Sequence, residues 1–546
     1  MSDILEVRPA HRWRAMAAIA LGTSLVIMDA TIANVALPIV IDDLGMSATQ
    51  AQWVSAVYAL VFASLMLTSG RLGDLFGRKL MFVVGLIVFM GSSLVAGFAA
   101  TPEILIAARL VQGIGAAMVL PATASTINAM FGGKDRSIAF AIYGSTIGGM
   151  AAVGPLVGGW LATDFSWRWA FWLNIPFGLI ALGLALAFLP ETRDPKLRRG
   201  ADVLGTLLAV GGLAAIVYGL VESSQYGWIR QADGSLSPVI VALVGGLVLM
   251  VIWVAVERAR ERAGKVVQTH LGLWRIGNFR NGAIASFVIT LGEFGMLFTM
   301  PLVLQGAMRY NALGTGWLMM VLAVGTFVMS AGVPHLAKRL GNRAVVRIGV
   351  LLEAIAVGGI AFVLPGGFWP LAACLFLYGM GVGMATAQVT NVMLAEVPVG
   401  LSGEASGLHT TVRQLGSAMG VAVLGGLLIS MLTSGTESRM VEAGVPEQVR
   451  APVSAAVHGS IGAAIPSLQA NPQTAVAADA AADALVHAAK VSTGVAAGIL
   501  GLGFLATLGL TDVSEAERRR RRGESEDELA AEDLRQPATE AGPHLE

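Results

Sequence analysis

Cysteine, charge and clustered histidine are all scarce in this 546-residue chain, and each scarcity excludes something. The only cysteine, Cys374, lies inside an apolar run, so no disulfide can form within the chain and nothing points to redox chemistry. Charged residues make up 13% and hydrophobic residues 55%, far from the roughly 25% charged of soluble domains, which makes this a polytopic membrane protein. The histidines are scattered at His11, His270, His335, His409, His458, His487 and His544. There is no HExxH pair for a metal and no GxxxxGK loop to cradle phosphate. The expectation is no metal, no cofactor, no nucleic-acid partner and no enzyme. Energy drawn from ATP bound by this chain is excluded in the same way. An ion gradient remains, since each charge crossing the membrane is worth ~2.3 kcal/mol per 100 mV.

Long apolar runs are abundant. A spanning helix needs roughly 17 to 25 mostly apolar residues, and fourteen segments qualify: 15–41, 50–70, 79–98, 103–127, 137–161, 169–189, 202–221, 238–257, 280–304, 312–333, 344–364, 369–392, 405–431 and 490–511. The first lacks a short apolar core followed by a small-residue cleavage site, so it reads as a retained span. The 36 basic residues balance the 36 acidic ones, but their placement is one-sided. Arg71, Arg78, Lys79, Lys134, Arg136, Arg198, Arg199, Lys338 and Arg339 all fall on the side of the two termini. The positive-inside rule therefore predicts both termini in the cytoplasm. Between spans, the alanine-rich stretch 432–489, broken at Asn471-Pro472, suits either a short external helical hairpin or a flexible loop. The tail 514–546, a basic cluster followed by an acidic block, reads as disordered beside the lipid headgroups.

The loop after the second span, "SGRLGDLFGRKLM", sets Gly70, Gly73 and Gly77 for tight turns and close helix approach. Asp74, Arg78 and Lys79 are fixed charges at the helix ends. A degenerate copy, "VPHLAKRLGNRAVV", follows the tenth span, with Gly341 matching Gly77 and Arg343 matching Lys79. Lys338 replaces the aspartate there, and Pro334 the first glycine. Two related halves follow: a six-helix bundle over 1–200, an inserted helix pair and linker over 201–265, and a second six-helix bundle over 266–513.

"GRLGDLFGRK" resembles the signature loop of the major facilitator superfamily, "ILIAARLVQGIGAA" its fourth-helix motif around Arg109, and "VGPLVGGW" the fifth-helix motif of its antiporters. With "MDATIANVALP", "WVSAVYAL" and "WRWAFWLNIPFG", the chain resembles the fourteen-helix drug:proton antiporters of bacteria. It departs from the pattern at Leu75, where an arginine is often found, and in the second loop's lost acid. The resemblance implies an all-α major facilitator fold of 14 transmembrane helices in the bacterial inner membrane.

A charged Asp at the centre of a spanning helix costs roughly 2.5 to 3.5 kcal/mol and is usually turned toward protein or a watery cavity. Asp29 shares its helical face with the small residues Ala18, Gly22, Ala33 and Ala36, which leaves room for cargo; a structural acid satisfied by an arginine or hydroxyl is the other reading. Glu293 shares a face with Ser286, Thr290, Met296 and Met300, as a cavity wall would. Glu353 is also mid-span, but the resemblance makes its helix peripheral, favouring a structural pairing or an interface. Glu222 sits at the outer end of the inserted pair, within reach of water. Arg109, with Gln112 beside it, must find an acid, carbonyls or water; it either pins helices together or, as in the resembled family, modulates proton transfer. Arg413 lies near enough to the termini side to snorkel instead. Gly154, Pro155, Gly158 and Gly159 permit close helix packing, and the resemblance adds a role at the moving interface between halves.

The expected function is a secondary exporter working as a monomer. Protons and small lipophilic substrates, with cationic drugs favoured, compete for Asp29 and Glu293, while Trp53, Tyr58 and the methionines line an apolar pocket. Export of a neutral or anionic antibiotic or metabolite is the alternative. A membrane receptor or integral-membrane enzyme is the reading from another class.

Overall fold

The computed structural model describes residues 9–131, 133–193, 202–231, 235–397 and 401–511; the tail 514–546 lies outside them. The first bundle holds α1 (Pro9–Leu44), α2 (Ala48–Phe76), α3 (Arg78–Gly97), α4 (Pro102–Met130), α5 (Gly133–Asp164), α6 (Trp169–Trp172) and α7 (Asn174–Phe188). The inserted pair is α8 (Val203–Tyr226) and α9 (Pro238–Arg262). The second bundle holds α10 (Gly277–Gly306), α11 (Ala312–Leu340), α12 (Asn342–Val363), α13 (Phe368–Leu394), α14 (Ser402–Glu442) and α17 (Ala475–Leu508), with α15 (Glu447–Gly459) and α16 (Ile465–Ala470) between its last two. Among the described residues 13 helical segments are long and apolar enough to cross a membrane, and α5, 32 residues long, stands at the remaining predicted span.

Local chemistry fixes the helix ends. Ser47 and Gln50 form a reciprocal capping box at the start of α2. Thr101 caps α4 ahead of Pro102, and Asn311 caps α11. The repeat read from the sequence has a backbone counterpart: Gly77 (φ 127°) separates α2 from α3, and Gly341 (φ 83°) separates α11 from α12. Both glycines adopt a conformation that side chains disfavour.

The packing obeys a pseudo-two-fold relation in which α1–α5 and α7 correspond to α10–α14 and α17. Within the halves α1 packs on α5 and α10 on α14, while α3 packs on α4 and α12 on α13. Between them, α2 meets α14 and α5 meets α11, each pair being the other's equivalent. The inserted α8 lies against α2 and α14. α9 turns Val241, Val244, Leu247, Val248 and Val251 outward, as a lipid-facing helix must.

The stretch 432–489 departs from the expected span limits. α14 continues to Glu442 and α17 already begins at Ala475, so both helices project beyond the bundle. Thr436 and Met440 on one extension are buried, and Gly435 faces Ala484 on the other, with Val453 and Val457 of α15, Ile461 of the following turn and Ile465 of α16 buried between them. Burial of these apolar positions explains why the alanine-rich segment is largely helical. The Asn471-Pro472 break falls between α16 and α17. We call this end of the bundle the hairpin end and the opposite one the termini end.

Candidate functional site

In the first half the intramembrane charges form a closed network. Asp29 on α1 accepts from Arg109 Nη1 (2.5 Å) through one carboxylate oxygen, and from Gln112 Nε2 (2.8 Å) and Asn174 Nδ2 (2.9 Å) through the other. Arg109 on α4 also donates to the Val54 carbonyl (3.1 Å) and to Gln112 Oε1 (2.7 Å). Its guanidinium stacks 4.2 Å from the centre of the Tyr58 ring. Ser93 Oγ on α3 accepts from both Gln112 (2.7 Å) and Asn174 (3.1 Å). Asp29 and Arg109 are each 1% exposed. Five helices are thus tied through one ion pair whose hydrogen-bonding capacity is met almost entirely by protein, the condition under which a buried pair is tolerated. Asp29's small neighbours serve close packing: Gly22 lies against the Phe82 ring. Tyr58, expected to line a cavity, is spent on this network together with Gln112, the expected neighbour of Arg109, and the Tyr58 hydroxyl donates to the Val26 carbonyl (3.3 Å).

The second half is built differently. Glu293 on α10 is half-buried, and its Oε2 has no hydrogen-bond partner. Glu353 corrects an expectation. Its helix α12 is peripheral, exposing Ile348, Leu351 and Ile355, but the acid faces inward and is 0% exposed, with both oxygens unpartnered. Placement by helix missed this, because one face of a peripheral helix still looks into the bundle. The Tyr378 hydroxyl on α13 is also buried without a partner. Glu293 and Glu353 lie within electrostatic reach of each other and of Arg413, and Tyr378 within reach of both acids; Arg413 is half-buried. One turn nearer the termini end, His409 Nε2 on α14 pairs with Ser286 Oγ on α10 (2.9 Å). Met296 and Met300 are buried core residues at 3% and 2% exposure.

Residues 19–421 match the sequence model of the Major Facilitator Superfamily. The chain belongs to the major facilitator superfamily. As a member it is a multi-pass membrane transporter and not an enzyme. It is similar to a protein described as a probable actinorhodin transporter of Streptomyces coelicolor, at 34% identity over 78% of this chain and 74% of that one. It is also similar to the puromycin resistance protein pur8 of Streptomyces alboniger, at 34% identity over 82% and 87%. In fold it resembles a bacterial homologue of the human lysosomal transporter Spinster, solved in an inward-facing, unoccupied conformation, with a TM-score of 0.61 and 16% identity over 93% of this chain and all of that one.

The superfamily's signature loop is held by the end of α7. A methyl group on Gly77 would collide with the Glu191 carboxylate, which accepts from the Lys79 amide (3.2 Å). Lys79 Nζ donates to the Leu186 carbonyl (2.9 Å), and Arg78 pairs with Asp74 (2.8 Å) and reaches the Ser125 carbonyl. Gly70 lies against Pro121 and Gly73 against Met81. The antiporter glycines divide between two partners: Gly154 and Gly158 seat α1 at Thr31 and Ile32, whereas Gly159 and the Pro155 carbonyl meet Ala312 and Gly316 of α11 in the other half. Near that crossing the Leu313 amide donates to Thr163 Oγ1 (3.0 Å), and Gln305 Nε2 donates to the Val35 carbonyl (3.0 Å), so the halves are joined at the hairpin end. Trp53 and Glu222 turn out to be partners, with the indole N–H donating to the carboxylate (2.9 Å) and fastening α8 to α2. A cleft of about 380 Å³ opens elsewhere, between Ala307, Met308, Arg309, Tyr310, Pro365 and Gly366, and contains none of these acids.

Sequence reasoning missed Ser93, Asn174, Tyr378 and the Ser286–His409 pair. Asn174 had a signal, a lone amide in "WLNIPFG". Ser93 and Tyr378 had none, because a hydroxyl in an apolar run most often bonds its own helix or packs like a hydrophobe.

Proposed function

We propose that this protein is a proton-coupled exporter of small drug-like molecules, working by alternating access in a bacterial plasma membrane. The observation that carries the reading is Glu293. It is a membrane-embedded carboxylate that keeps partial exposure and an unpartnered oxygen, while the other favoured acid, Asp29, is fully engaged. A carboxyl stripped of donors favours the protonated form, and a cation brought beside it favours the carboxylate. Proton and cationic cargo therefore exclude each other at Glu293, and the movement of one drives the other. Asp29 and Arg109 serve as the rigid centre against which the second half moves. The relatives named for actinorhodin transport and puromycin resistance support export of antibiotic-like molecules. Basic residues gathered at the termini end support both termini in the cytoplasm and the hairpin end outside.

The test is efflux of ethidium, a fluorescent lipophilic cation, from cells expressing the protein as a monomer. Efflux should stop when the proton gradient is collapsed and fall strongly with Glu293→Gln. Efflux that survives both overturns the reading. If a neutral or anionic antibiotic displaces no ethidium yet is itself exported in a proton-dependent way, the acids carry protons only and the cationic preference is dropped.

A further inference from the structure

The inserted pair carries two buried acids at the termini end that the transport reading does not use. Asp202, the cap of α8, is 3% exposed, and Glu257, near the end of α9, is 0% exposed. They face each other across Gly205: a methyl group there would stand 2.7 Å from Asp202 Oδ2 and closer still to Glu257 Oε1. The remaining oxygens are served by the backbone, with Gly205 N–H donating to Asp202 Oδ1 (2.7 Å) and Gln268 N–H to Glu257 Oε2 (3.1 Å). Among the described residues no N–H or hydroxyl donates to either facing oxygen. Arg260 Nε stands 3.1 Å from Asp202 Oδ2, but its N–H is aimed at the Val266 carbonyl (3.1 Å). The charge acting on Glu257 is that of Asp202, its hydrogen-bonding neighbour. Around the pair, α2 meets α8 through the neutral Thr68 and Thr206 hydroxyls, and the charge of Glu404 on α14 is engaged with His270 of the linker.

Two carboxylates this close and out of water repel, and a single proton between them replaces the repulsion with a hydrogen bond. We infer that Asp202 and Glu257 form a proton-binding site of their own, whose one shared proton closes a latch between the inserted pair and the linker to the second bundle. The proton sits on Glu257 Oε1 and is donated to Asp202 Oδ2, because Asp202 has the Arg260 charge beside it whereas Glu257 has only a backbone amide. In this state Glu257 holds Gln268, and Arg260 holds the Val266 carbonyl through both Nε and Nη2. Two residues on from Gln268, the His270 amide and ring Nδ1 meet the Glu404 carboxylate, so the same linker tethers the start of α14. When the proton leaves to water, two negative charges face one arginine, Glu257 is driven from Asp202, and the Gln268 amide is let go. The latch is shut at low pH, and the stability it contributes is lost as pH rises through release of the proton.

The experiment titrates the purified full-length protein in detergent from about pH 5 to about pH 9, a range in which an ordinary glutamate is ionised by about pH 6. Infrared difference spectra report protonated carboxyl groups, and hydrogen exchange of the 264–270 amides, corrected for its intrinsic rise with pH, reports the latch. As pH rises the wild type should lose a protonated-carboxyl band and, with it, about tenfold or more of the protection of those amides. Glu257→Gln should lack that band yet keep the protection within about threefold across the range, because its amide donates to Asp202 as the neutral acid does. Neither readout involves transport, so both stand if the proton-coupled reading falls. Identical infrared titrations in the wild type and Glu257→Gln overturn the proton site. Wild-type protection that stays constant while the band disappears overturns the latch. So does loss of protection in Glu257→Gln at every pH, which marks a carboxylate that the fold requires. Should Glu257→Gln fail to fold, Asp202→Asn decides: its amide donates to a Glu257 carboxylate, so the band and the pH dependence should both vanish, and persistence of either overturns the proposal.

Discussion

The two halves share one helix plan but treat their central polar groups in opposite ways. On α1 the first half carries Asp29, and its neighbours supply Arg109, Gln112, Asn174 and Ser93, so donors and acceptors are nearly balanced. On α10, the counterpart of α1, the second half carries Glu293; the counterpart of α3 adds a second acid, Glu353, and the counterpart of α4 offers Tyr378 instead of an arginine. In the first arrangement the removal of either charge strands the other in the interior. In the second, acid oxygens and a tyrosine hydroxyl are left without partners. One helix plan thus carries a closed ion-pair network in one half and unpartnered acids in the other, which under the proposed function are a fixed charge lock and a proton-exchange site.

The lock should break with the largest effect. Asp29→Leu strands an arginine that cannot discard its charge, so we expect a loss of ~3–5 kcal/mol, read as a fall in the melting temperature of the purified protein in detergent. Arg109→Leu should cost nearly as much. The double variant should cost clearly less than the sum, because the two residues act as one unit. Additive losses would show that the pair is not coupled. In the second half Glu293→Gln should leave melting within ~1 kcal/mol of wild type, since glutamine imitates the neutral acid, while ethidium transport falls by about tenfold or more. If Glu293→Gln instead destabilises as much as Asp29→Leu, the contrast between the halves disappears.

What could be read beforehand follows from what each feature depends on. Span positions and the two-fold plan depend on apolar length and on turns such as Gly77 and Gly341, which are local and therefore visible. The lone carboxylates Asp29, Glu293 and Glu353 were visible for the same reason, each being an exception in an apolar run. Which of them is satisfied depends on residues from four other helices, such as Asn174, which lies 145 positions from Asp29. Trp53 and Glu222, 169 positions apart, were read separately as a cavity wall and a solvated acid, and only packing of α8 on α2 makes them a pair. The protruding helices over 432–489 were ambiguous because alanine-rich sequence is helical only where a partner buries it, as α17 buries α14.

A smaller effect is expected where the halves meet. Gly159 faces the Ala312 carbonyl so closely that any side chain must push α5 and α11 apart at the hairpin end. Gly159→Leu should lower transport severalfold and lengthen the distance between spin labels placed at Asp164 and Ala312, with melting changed by ~1–3 kcal/mol. An unchanged label distance would mean that the contact does not hold this closure.

The smallest effect should come from the bond that holds the inserted pair. Trp53→Phe removes the indole donor to Glu222 but keeps most of the ring against α8. Glu222 is only half-buried, and its carboxylate regains water when the donor goes, so the expected loss is about 0.5–1.5 kcal/mol with ethidium efflux close to wild type. The second clasp, Thr68 to Thr206 at 2.9 Å, still ties α8 to α2 near the termini end. If Trp53→Phe lowered efflux as strongly as Glu293→Gln, α8 would belong to the moving machinery, and the division into one locked and one exchanging half would have to include a third part.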